Sequence, residues 1–231
     1  MYTLLRGIMR LAVHVWLARR FHASGLQHVP RRGPLLVCSN HISTIDPPLL
    51  PAFLPRSDTW SMAKAEWFHG GIVEWLFTSY HAFPIVRHTP DRKSLRRARS
   101  VMDGGGALVI YPEGHRQESG RLARAEPGAG FLARSSGVPV VPAAVVGSDR
   151  VFPRGARWPR FARLEIRCGA PIRIRERRPD GTRVDNQDAA DAIMLAIARL
   201  LPEGMRGAYA DVAALEARLD DVVEAAQPLD V

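Results

Sequence analysis

The sequence predicts an α/β protein: a single domain with a central mixed, largely parallel sheet covered by helices, plus an N-terminal amphipathic helical segment. Short apolar runs bounded by glycine and proline recur along the chain and are typical of buried strands. Segments with helical periodicity alternate with these runs, which indicates a sheet with helices on both faces. The 231 residues show no linker and no internal repeat, so one domain with added ends accounts for them.

The first element is an amphipathic helix over residues 2–20. At ~100° per residue its apolar side chains share one face and its arginines lie off that face. The apolar face comprises Leu4, Leu5, Ile8, Met9, Leu11, Ala12, Val15 and Trp16, and the arginines are Arg6, Arg10 and Arg20. The charge-free stretch is far shorter than the ~20 residues of a membrane-spanning helix, and the interrupting arginines argue against a signal peptide. Two interpretations are open: the helix lies in a membrane interface with its arginines toward the headgroups, or it packs on the protein core.

The later elements follow in chain order from the same patterns. Apolar runs predict buried strands over residues 33–40, 106–114 and 137–148, and an alternating pattern predicts a more exposed strand over 162–169. Helical periodicity predicts helices over 91–105, 128–137 and 186–202, and a last surface helix over 208–226. We therefore divide the chain into an N-terminal membrane-interface segment 1–30, a core 31–185, and C-terminal helices 186–231 that pack on the core.

The charge is distributed unevenly along the chain. Residues 1–185 hold 29 Lys and Arg against 14 Asp and Glu, whereas residues 186–231 hold 3 against 9. A cationic body favours anionic partners such as nucleic acid, anionic lipid headgroups or a phosphorylated substrate like coenzyme A. No nucleic-acid-binding signature accompanies the charge, so no nucleic-acid partner is expected. Cys38 and Cys168 lack C-x-x-C spacing and any Cys/His cluster, which predicts reduced thiols and no metal site.

Polar residues follow the first buried strand in the stretch NHISTID, where His41 and Asp46 are five positions apart. In a continuous helix this separation turns the two side chains ~140° apart, whereas a turn between strand and helix can bring them together. The pair is therefore either a catalytic dyad or a loop histidine beside an aspartate that caps the next helix. Spacing alone leaves both interpretations open.

Two further apolar runs end in charged residues. YPEGHR places Glu113 and Arg116 after the second buried strand, and FPIVR ends at Arg87. Each pattern is consistent with a binding loop, because open α/β folds place ligands where strands meet loops. A turn with a solvated ion pair would give the same pattern.

Four blocks occur in the order NHISTID, FPIVR, YPEGHR and VPVVPA, and together they resemble the glycerolipid acyltransferases typified by bacterial 1-acyl-glycerol-3-phosphate acyltransferase. The resemblance runs over residues 32–148. It implies acyl transfer from acyl-CoA to the free hydroxyl of 1-acyl-sn-glycerol-3-phosphate, giving phosphatidic acid, with no cofactor. The alternatives are another acceptor (a different lysophospholipid, glycerol-3-phosphate or a specialised lipid) or an acyl carrier protein as donor. A non-catalytic lipid-binding or nucleic-acid-binding protein is a more distant alternative.

The resemblance also implies a role for individual residues. His41 is expected to act as general base on the acceptor hydroxyl, and Asp46 is expected to orient it, while Ser43 lies at a variable position of the block and is not expected to be a nucleophile. The expected substrate-binding residues are Lys64, Arg87, Glu113, Gly114, His115 and Arg116. Glu113 is expected to hold the arginines or a glycerol hydroxyl, and His115 stands where the family usually has threonine or serine. The expected location is the cytoplasmic face of the cell membrane, as a peripheral or monotopic protein.

Overall fold

The computed structural model describes residues 1–86 and 92–226, and it confirms the α/β fold class. Within the described residues a single sheet contains nine strands. They are β1 (Phe21–Ser24), β2 (Leu35–Ser39), β3 (Thr59–Lys64), β4 (Ala82–Ile85), β5 (Ala107–Ile110), β6 (Val140–Val146), β7 (Leu164–Cys168), β8 (Ile172–Ile174) and β9 (Val223–Ala225).

The sheet is mixed and largely parallel. Strands β6, β2, β5, β3 and β4 lie side by side in that order and run in one direction. β7 runs antiparallel to β6, and β1 pairs with β7 at the far edge. β8 and β9 form a short antiparallel extension from β6. Because the five parallel strands end at the same edge of the sheet, loops that are distant in sequence meet there.

Eight α-helices cover this sheet within the described residues. They are α1 (Tyr2–Leu17), α2 (Asp46–Phe53), α3 (Gly71–Ser79), α4 (Arg92–Asp103), α5 (Pro127–Ser136), α6 (Ser148–Val151), α7 (Asn186–Leu200) and α8 (Val212–Leu219). Short 3₁₀ turns cover Ala18–Arg20, Leu26–His28, Ala65–Trp67, Glu203–Met205, Gly207–Tyr209 and Asp220–Val222. No helix in the described part of the chain has the length and apolarity that crossing a bilayer requires.

Two hydrophobic cores lie on opposite faces of the sheet. Leu35 and Val37 of β2 pack with α1 and α2 on one face. Leu36 and Cys38 pack with α4, α5 and α7 on the other face. Alternate residues of a strand point to opposite faces, so a strand that serves both cores must be apolar throughout. This explains why β2, β5 and β6 were recognisable as continuous apolar runs.

Seven of the predicted elements are confirmed, and three expectations are wrong in part. The confirmed elements are β2, β5, β6, α1, α4, α5 and α7. The strand over 162–169 is β7, which is almost wholly buried because β1 and β6 flank it. β1 lies within the segment 1–30, so that segment contributes to the central sheet as well as a helix. The last surface helix is confined to α8, and the chain then forms β9 against β8.

The N-terminal helix is attached to the protein by its arginines. Arg6 is 7% exposed and donates hydrogen bonds from Nε to the Pro51 carbonyl at 3.1 Å and from Nη2 to the Leu54 carbonyl at 2.5 Å. Arg10 donates to the Ala52 and Leu54 carbonyls. These carbonyls lie at the C-terminal end of α2, where intrahelical partners run out and cations are favoured. The expectation that these arginines face headgroups is therefore wrong.

The apolar side of α1 faces outward instead. Leu4, Ile8, Leu11 and Val15 are 60%, 55%, 65% and 71% exposed and follow one another at helical spacing. The opposite side, with Tyr2, is buried. The helix therefore packs on the protein, as the core-packing interpretation required. It also exposes an apolar stripe, as the membrane-interface interpretation required. We call these four side chains the α1 stripe.

We expect Arg6→Met to lower the free energy of unfolding by about 1–3 kcal/mol, because it removes the arginine donor of the Pro51 carbonyl and one of the two arginine donors of the Leu54 carbonyl. Denaturant unfolding followed by circular dichroism measures the change. Arg19→Met is the matched control, since Arg19 is exposed on the following turn, and it should change stability by less than about 0.5 kcal/mol. Equal effects of the two substitutions would contradict a structural role for Arg6.

Candidate active site

One carboxylate oxygen organises the loop that follows β2. Oδ2 of Asp46 accepts hydrogen bonds from Nδ1 of His41 at 3.0 Å and from the backbone N–H groups of Ile42 at 2.8 Å and Ser43 at 2.7 Å. Asp46 is fully buried and His41 is 8% exposed. Because Nδ1 faces a carboxylate, it carries the ring proton in the neutral imidazole, and Nε2 is then unprotonated. Nε2 has no hydrogen-bond partner within residues 1–86 and 92–226.

The capping interpretation of Asp46 is wrong in its geometry. Helix α2 begins at Asp46, with Ile45 in the cap position and no side-chain cap hydrogen bond. The carboxylate bonds backward to Ile42 and Ser43, whereas a capping side chain bonds forward into the first turn. Pro47 follows Asp46 at the start of the helix, where its missing N–H costs nothing. Proline therefore favours the start of α2, and the Asp46 carboxylate is free to bond to His41.

Two residues that sequence reasoning did not assign fix the flanks of this loop. Asn40 exchanges two hydrogen bonds with the backbone of Val145: its Nδ2 donates to the carbonyl at 2.9 Å, and its Oδ1 accepts from the N–H at 2.8 Å. Ser43 donates its hydroxyl to the Phe152 carbonyl at 3.1 Å. The Ser43 hydroxyl is thus bonded away from His41, in agreement with its exclusion as a nucleophile. Asn40 was visible in the NHISTID block, but its partner lies 105 residues further on.

Glu113 has a different place from the one expected. It is 1% exposed, and its two oxygens accept backbone N–H groups from His41 at 2.9 Å and from Ala123 at 2.9 Å. Among the described residues neither oxygen binds an arginine, and Arg116 in particular is not held by Glu113. Burial raises the pKa of Glu113 to about 7, against the opposing effect of the two N–H donors. Glu113 positions the backbone of the histidine.

The YPEGHR loop is tied directly to the histidine loop. The backbone N–H of Gln117 donates to the His41 carbonyl at 2.7 Å, next to the bond from His41 to Glu113. Gly114 has φ of +71°, and a Cβ there would lie 3.0 Å from Cγ of Glu126. Glycine is therefore required both by the turn and by the close contact. These features make Gly114 a loop-shaping residue.

The structure describes three of the four remaining residues that are expected to bind substrate. Lys64 is exposed at the end of β3, on the edge of the sheet that also carries His41. His115 is exposed, and Arg116 is half-buried in the same loop as Glu113. Within the described ranges, the guanidinium of Arg116 has no hydrogen bond or ion pair. Arg87 lies outside the described residues.

Tyr111 packs against the His41–Asp46 pair. Its ring centroid lies 4.5 Å from that of His41. Its hydroxyl is buried, and so is Oδ1 of Asp46, and neither atom has a hydrogen-bond partner among the residues described. Burial, followed by the Asp46 charge, raises the pKa of Tyr111 well above its ordinary value. The tyrosine therefore stays neutral and contributes an aromatic wall to the site.

The arrangement can perform proton transfer. An imidazole with Nδ1 held by a carboxylate and Nε2 unoccupied can take a proton from a hydroxyl group that approaches Nε2. Among the described residues, no group of three or more His, Cys, Asp or Glu side chains is placed to hold a metal ion. Cys38 and Cys168 are buried free thiols, and burial raises the pKa of both. Neither is available as a thiolate nucleophile.

The fold and the site define an α/β protein with a histidine–aspartate pair at the carboxyl edge of its parallel strands. The model of a family described as Acyltransferase matches residues 20–146, which is more than half of the chain. The chain therefore belongs to the acyltransferase family. The four sequence blocks pointed to the same family.

Relatives with known names agree with this assignment. The chain is 28% identical over 136 residues to "1-acyl-sn-glycerol-3-phosphate acyltransferase BAT2, chloroplastic" of Brassica napus, which covers 57% of this chain and 39% of that protein. It is 24% identical over 198 residues to the 1-acyl-sn-glycerol-3-phosphate acyltransferase of Pseudomonas aeruginosa, which covers 81% of this chain and 75% of that protein. The chain thus spans well under half the length of the plant relative and three quarters of the bacterial one.

A solved structure shares the fold. The crystal structure of the 1-acyl-sn-glycerophosphate (LPA) acyltransferase PlsC from Thermotoga maritima matches with a TM-score of 0.67 and 19% sequence identity. The match covers 86% of this chain and 77% of that chain. The shared architecture therefore includes most of the sheet and its helices.

We expect Glu113→Gln to destabilise the protein, and the loss to shrink as the pH rises. Both oxygens of Glu113 accept backbone N–H groups, and in the variant the amide NH₂ replaces one of them. Two donors then face each other, which costs about 1–3 kcal/mol. The folded-state pKa of about 7 lies above the ordinary 4.5, so the wild type itself loses stability as pH rises from 4.5 through 7. The difference in free energy of unfolding should therefore be larger at pH 5 than at pH 8.

Denaturant unfolding at the two pH values measures this difference. Glu118→Gln is the control, because Glu118 is an exposed glutamate of the same loop and should show little change at either pH. A difference that grows with pH would contradict a raised pKa for Glu113.

Proposed function

We propose that this protein transfers the acyl group of acyl-CoA to the free hydroxyl of 1-acyl-sn-glycerol-3-phosphate at a membrane surface, and so makes phosphatidic acid. The observation that carries the proposal is the His41–Asp46 pair, with Nδ1 bonded to the carboxylate at 3.0 Å and Nε2 unoccupied. The family membership and the names of the relatives support the choice of reaction.

In the proposed mechanism, Nε2 of His41 removes the proton of the acceptor hydroxyl as its oxygen attacks the thioester carbonyl carbon. Asp46 stabilises the imidazolium that forms and keeps the ring in the correct tautomer. The tetrahedral intermediate then collapses, the carbon–sulfur bond breaks, and the coenzyme A sulfur takes the proton from the imidazolium. The ester and free coenzyme A leave, and no acyl-enzyme is formed. The histidine returns to its starting state without an added cofactor.

The acceptor phosphate is assigned to cations at the same edge of the sheet. Arg116 lies three residues after Glu113 and, within the described part of the chain, has no competing carboxylate. Lys64 adds a point charge at the end of β3, and Arg87 is proposed on sequence grounds alone. Arginine can bind phosphate through two parallel hydrogen bonds, which fixes the orientation of the glycerol hydroxyls. His115 lies between Glu113 and Arg116 and is proposed to contact the headgroup.

The membrane contact is assigned to the α1 stripe. Its four apolar side chains are unburied, and the helix is fixed to α2 by Arg6 and Arg10. A helix with one apolar face and a polar attachment can lie in the headgroup boundary, where lysophospholipid acceptors reside. The cytoplasmic face is the proposed side, because the donor, acyl-CoA, is a soluble intracellular thioester.

Alternative acceptors are favoured by one specific feature. His115 replaces the threonine or serine usual in the family block, and it is exposed in the loop proposed to meet the headgroup. A different lysophospholipid, glycerol-3-phosphate or a specialised lipid is therefore the alternative acceptor, and an acyl carrier protein is the alternative donor.

We expect His41→Ala to lower kcat by about 10²–10⁴-fold, because the general base is lost. Asp46→Asn should lower kcat by a factor in the same range, since the amide cannot both accept all three N–H donors and stabilise an imidazolium. Thiol release from acyl-CoA in the presence of 1-acyl-sn-glycerol-3-phosphate measures the rate. His22→Ala replaces an exposed histidine of β1 and should keep full activity. Turnover by His41→Ala at the wild-type rate would exclude the dyad.

We expect acceptors with a free phosphate monoester to react faster than lysophosphatidylcholine. Arg116→Ala should lower kcat/KM for 1-acyl-sn-glycerol-3-phosphate by about 10- to 100-fold, the value of a charge-assisted bond. The exposed Arg121→Ala control should leave it unchanged. The same assay across lysophospholipids and glycerol-3-phosphate, repeated with His115→Thr, identifies the acceptor. A preference for lysophosphatidylcholine that Arg116→Ala does not alter would contradict the phosphate assignment.

A further inference from the structure

Helix α3 is apolar, and none of its residues is buried. Its sequence, GIVEWLFTS, covers Gly71–Ser79. Ile72, Val73, Trp75 and Leu76 are 79%, 43%, 50% and 46% exposed. Single exposed apolar residues are ordinary on protein surfaces, but four within five positions form a contiguous patch. A contiguous exposed apolar patch of this kind is typical of a surface that binds another molecule or a membrane.

The patch extends into the turn before the helix. Trp67 is 51% exposed and its ring stacks at 5.9 Å from that of Phe77, and the ring of Phe68 lies 5.9 Å from Phe77 on a tilt. Glu74 is the one charged residue of the helix sequence. Its carboxylate accepts the backbone N–H of Gly70 at 2.6 Å, so the charge is drawn to the N-terminal end of the helix.

The position of α3 places it beside α1. The connections β2 to β3 and β3 to β4 both move in the same direction along the sheet. Right-handed crossovers therefore put α2 and α3 on the same face, and α1 packs on α2. Tyr2 of α1 contacts the two residues that follow α3, since its ring stacks on His81 at 4.0 Å and meets Tyr80 edge-on at 5.5 Å. The apolar surfaces of α1 and α3 thus belong to one side of the molecule.

The chemistry of the patch fits a lipid bilayer better than a second protein. Trp67 and Trp75 are amphipathic aromatics, which are enriched where lipid chains meet headgroups. Lys64, Glu66 and His69 are exposed just before the helix, so this turn carries charges of both signs. Attraction to anionic headgroups comes instead from the cationic body, with 29 Lys and Arg against 14 Asp and Glu over residues 1–185. A nine-residue helix is ~13 Å long, too short to span a membrane, so it can only lie within the interface.

We propose that α3, together with Trp67, is a second membrane-inserted element, which enters an anionic bilayer alongside the α1 stripe. The turn before α3 follows directly from the end of β3, at the edge of the sheet that carries His41. Docking on both helices sets that edge against the lipid surface, from which an acyl-chain acceptor can reach the histidine without leaving the bilayer. The proposal adds to the proposed function, but the insertion of α3 does not depend on acyl transfer.

Vesicle binding measured without substrate tests the insertion. The full chain is sedimented with vesicles of phosphatidylcholine and phosphatidylglycerol. Ile72→Glu should weaken binding by about tenfold or more, because it places a charge at the most exposed position of the helix. Leu11→Glu, in the α1 stripe, should weaken binding in a comparable way. Phe131→Glu is the matched control, since Phe131 is 37% exposed on α5, on the other face of the sheet, and should bind as the wild type does.

A second measurement reports insertion itself. Lipids brominated on the acyl chain should quench tryptophan fluorescence of the wild type, and Trp75→Phe should remove part of that quenching. Circular dichroism checks that each variant is folded, which the high exposure of Ile72 favours. Wild-type binding by Ile72→Glu, or unchanged quenching in Trp75→Phe, would overturn the proposal. A change from dimer to monomer in Ile72→Glu without a change in vesicle binding would also overturn it, and would identify the patch as an interface between two copies.

These results are separable from acyl transfer. If His41→Ala retains turnover while Ile72→Glu loses binding, the proposed mechanism fails and the insertion stands. If Ile72→Glu binds normally while His41→Ala is inactive, the insertion fails and the mechanism stands.

Discussion

The site depends on a single buried oxygen atom. Oδ2 of Asp46 accepts three N–H groups, from the His41 ring and from the backbone of Ile42 and Ser43. A buried carboxylate is costly unless it is satisfied in this way, so the loop must close around it for the protein to fold. The same closure orients the imidazole. Folding of the loop therefore also orients the imidazole of His41, which is held in place without a bound substrate.

Further hydrogen bonds lock this loop to its neighbours in the sheet. Asn40 binds the backbone of Val145 at the end of β6, and the backbone of His41 binds both Glu113 and Gln117 beyond β5. The ends of three adjacent parallel strands are thus joined around one histidine. Most of these bonds involve backbone groups, so they do not depend on which side chains the surrounding loops carry. A side-chain change in the loop after β5, such as the exposed histidine at position 115, therefore leaves the hydrogen bonds that hold His41 in place.

The sequence predicted the centre of the fold and of the site better than their edges. The two-sided burial of β2, β5 and β6 gave long apolar runs, whereas β3 mixes polar and apolar residues and was not predicted. β4, at the sheet edge, is an apolar run of only four residues, and it was noted within FPIVR without being assigned as a strand. β9 was mistaken for helix because its three residues continue an acidic, alanine-rich stretch. His41 and Asp46 could be paired from the sequence because both lie in one short block, and the structure places their side chains in contact. The role of Glu113 was missed because its partners, His41 and Ala123, are backbone groups that no sequence pattern displays.

The attachment of α1 has a thermodynamic consequence. Its arginines hold it to α2 through backbone carbonyls, so the α1 stripe has no part in holding the fold together. In the proposed membrane contact, transfer of the stripe from water to lipid therefore orders no new segment and exposes no core, and association bears little loss of conformational entropy. The expected signature is a fall in heat capacity on binding, set by the apolar area removed from water, with unchanged secondary structure. Because the folded state in water is already complete, the proposed membrane contact changes only the surroundings of the α1 stripe and requires no folding step.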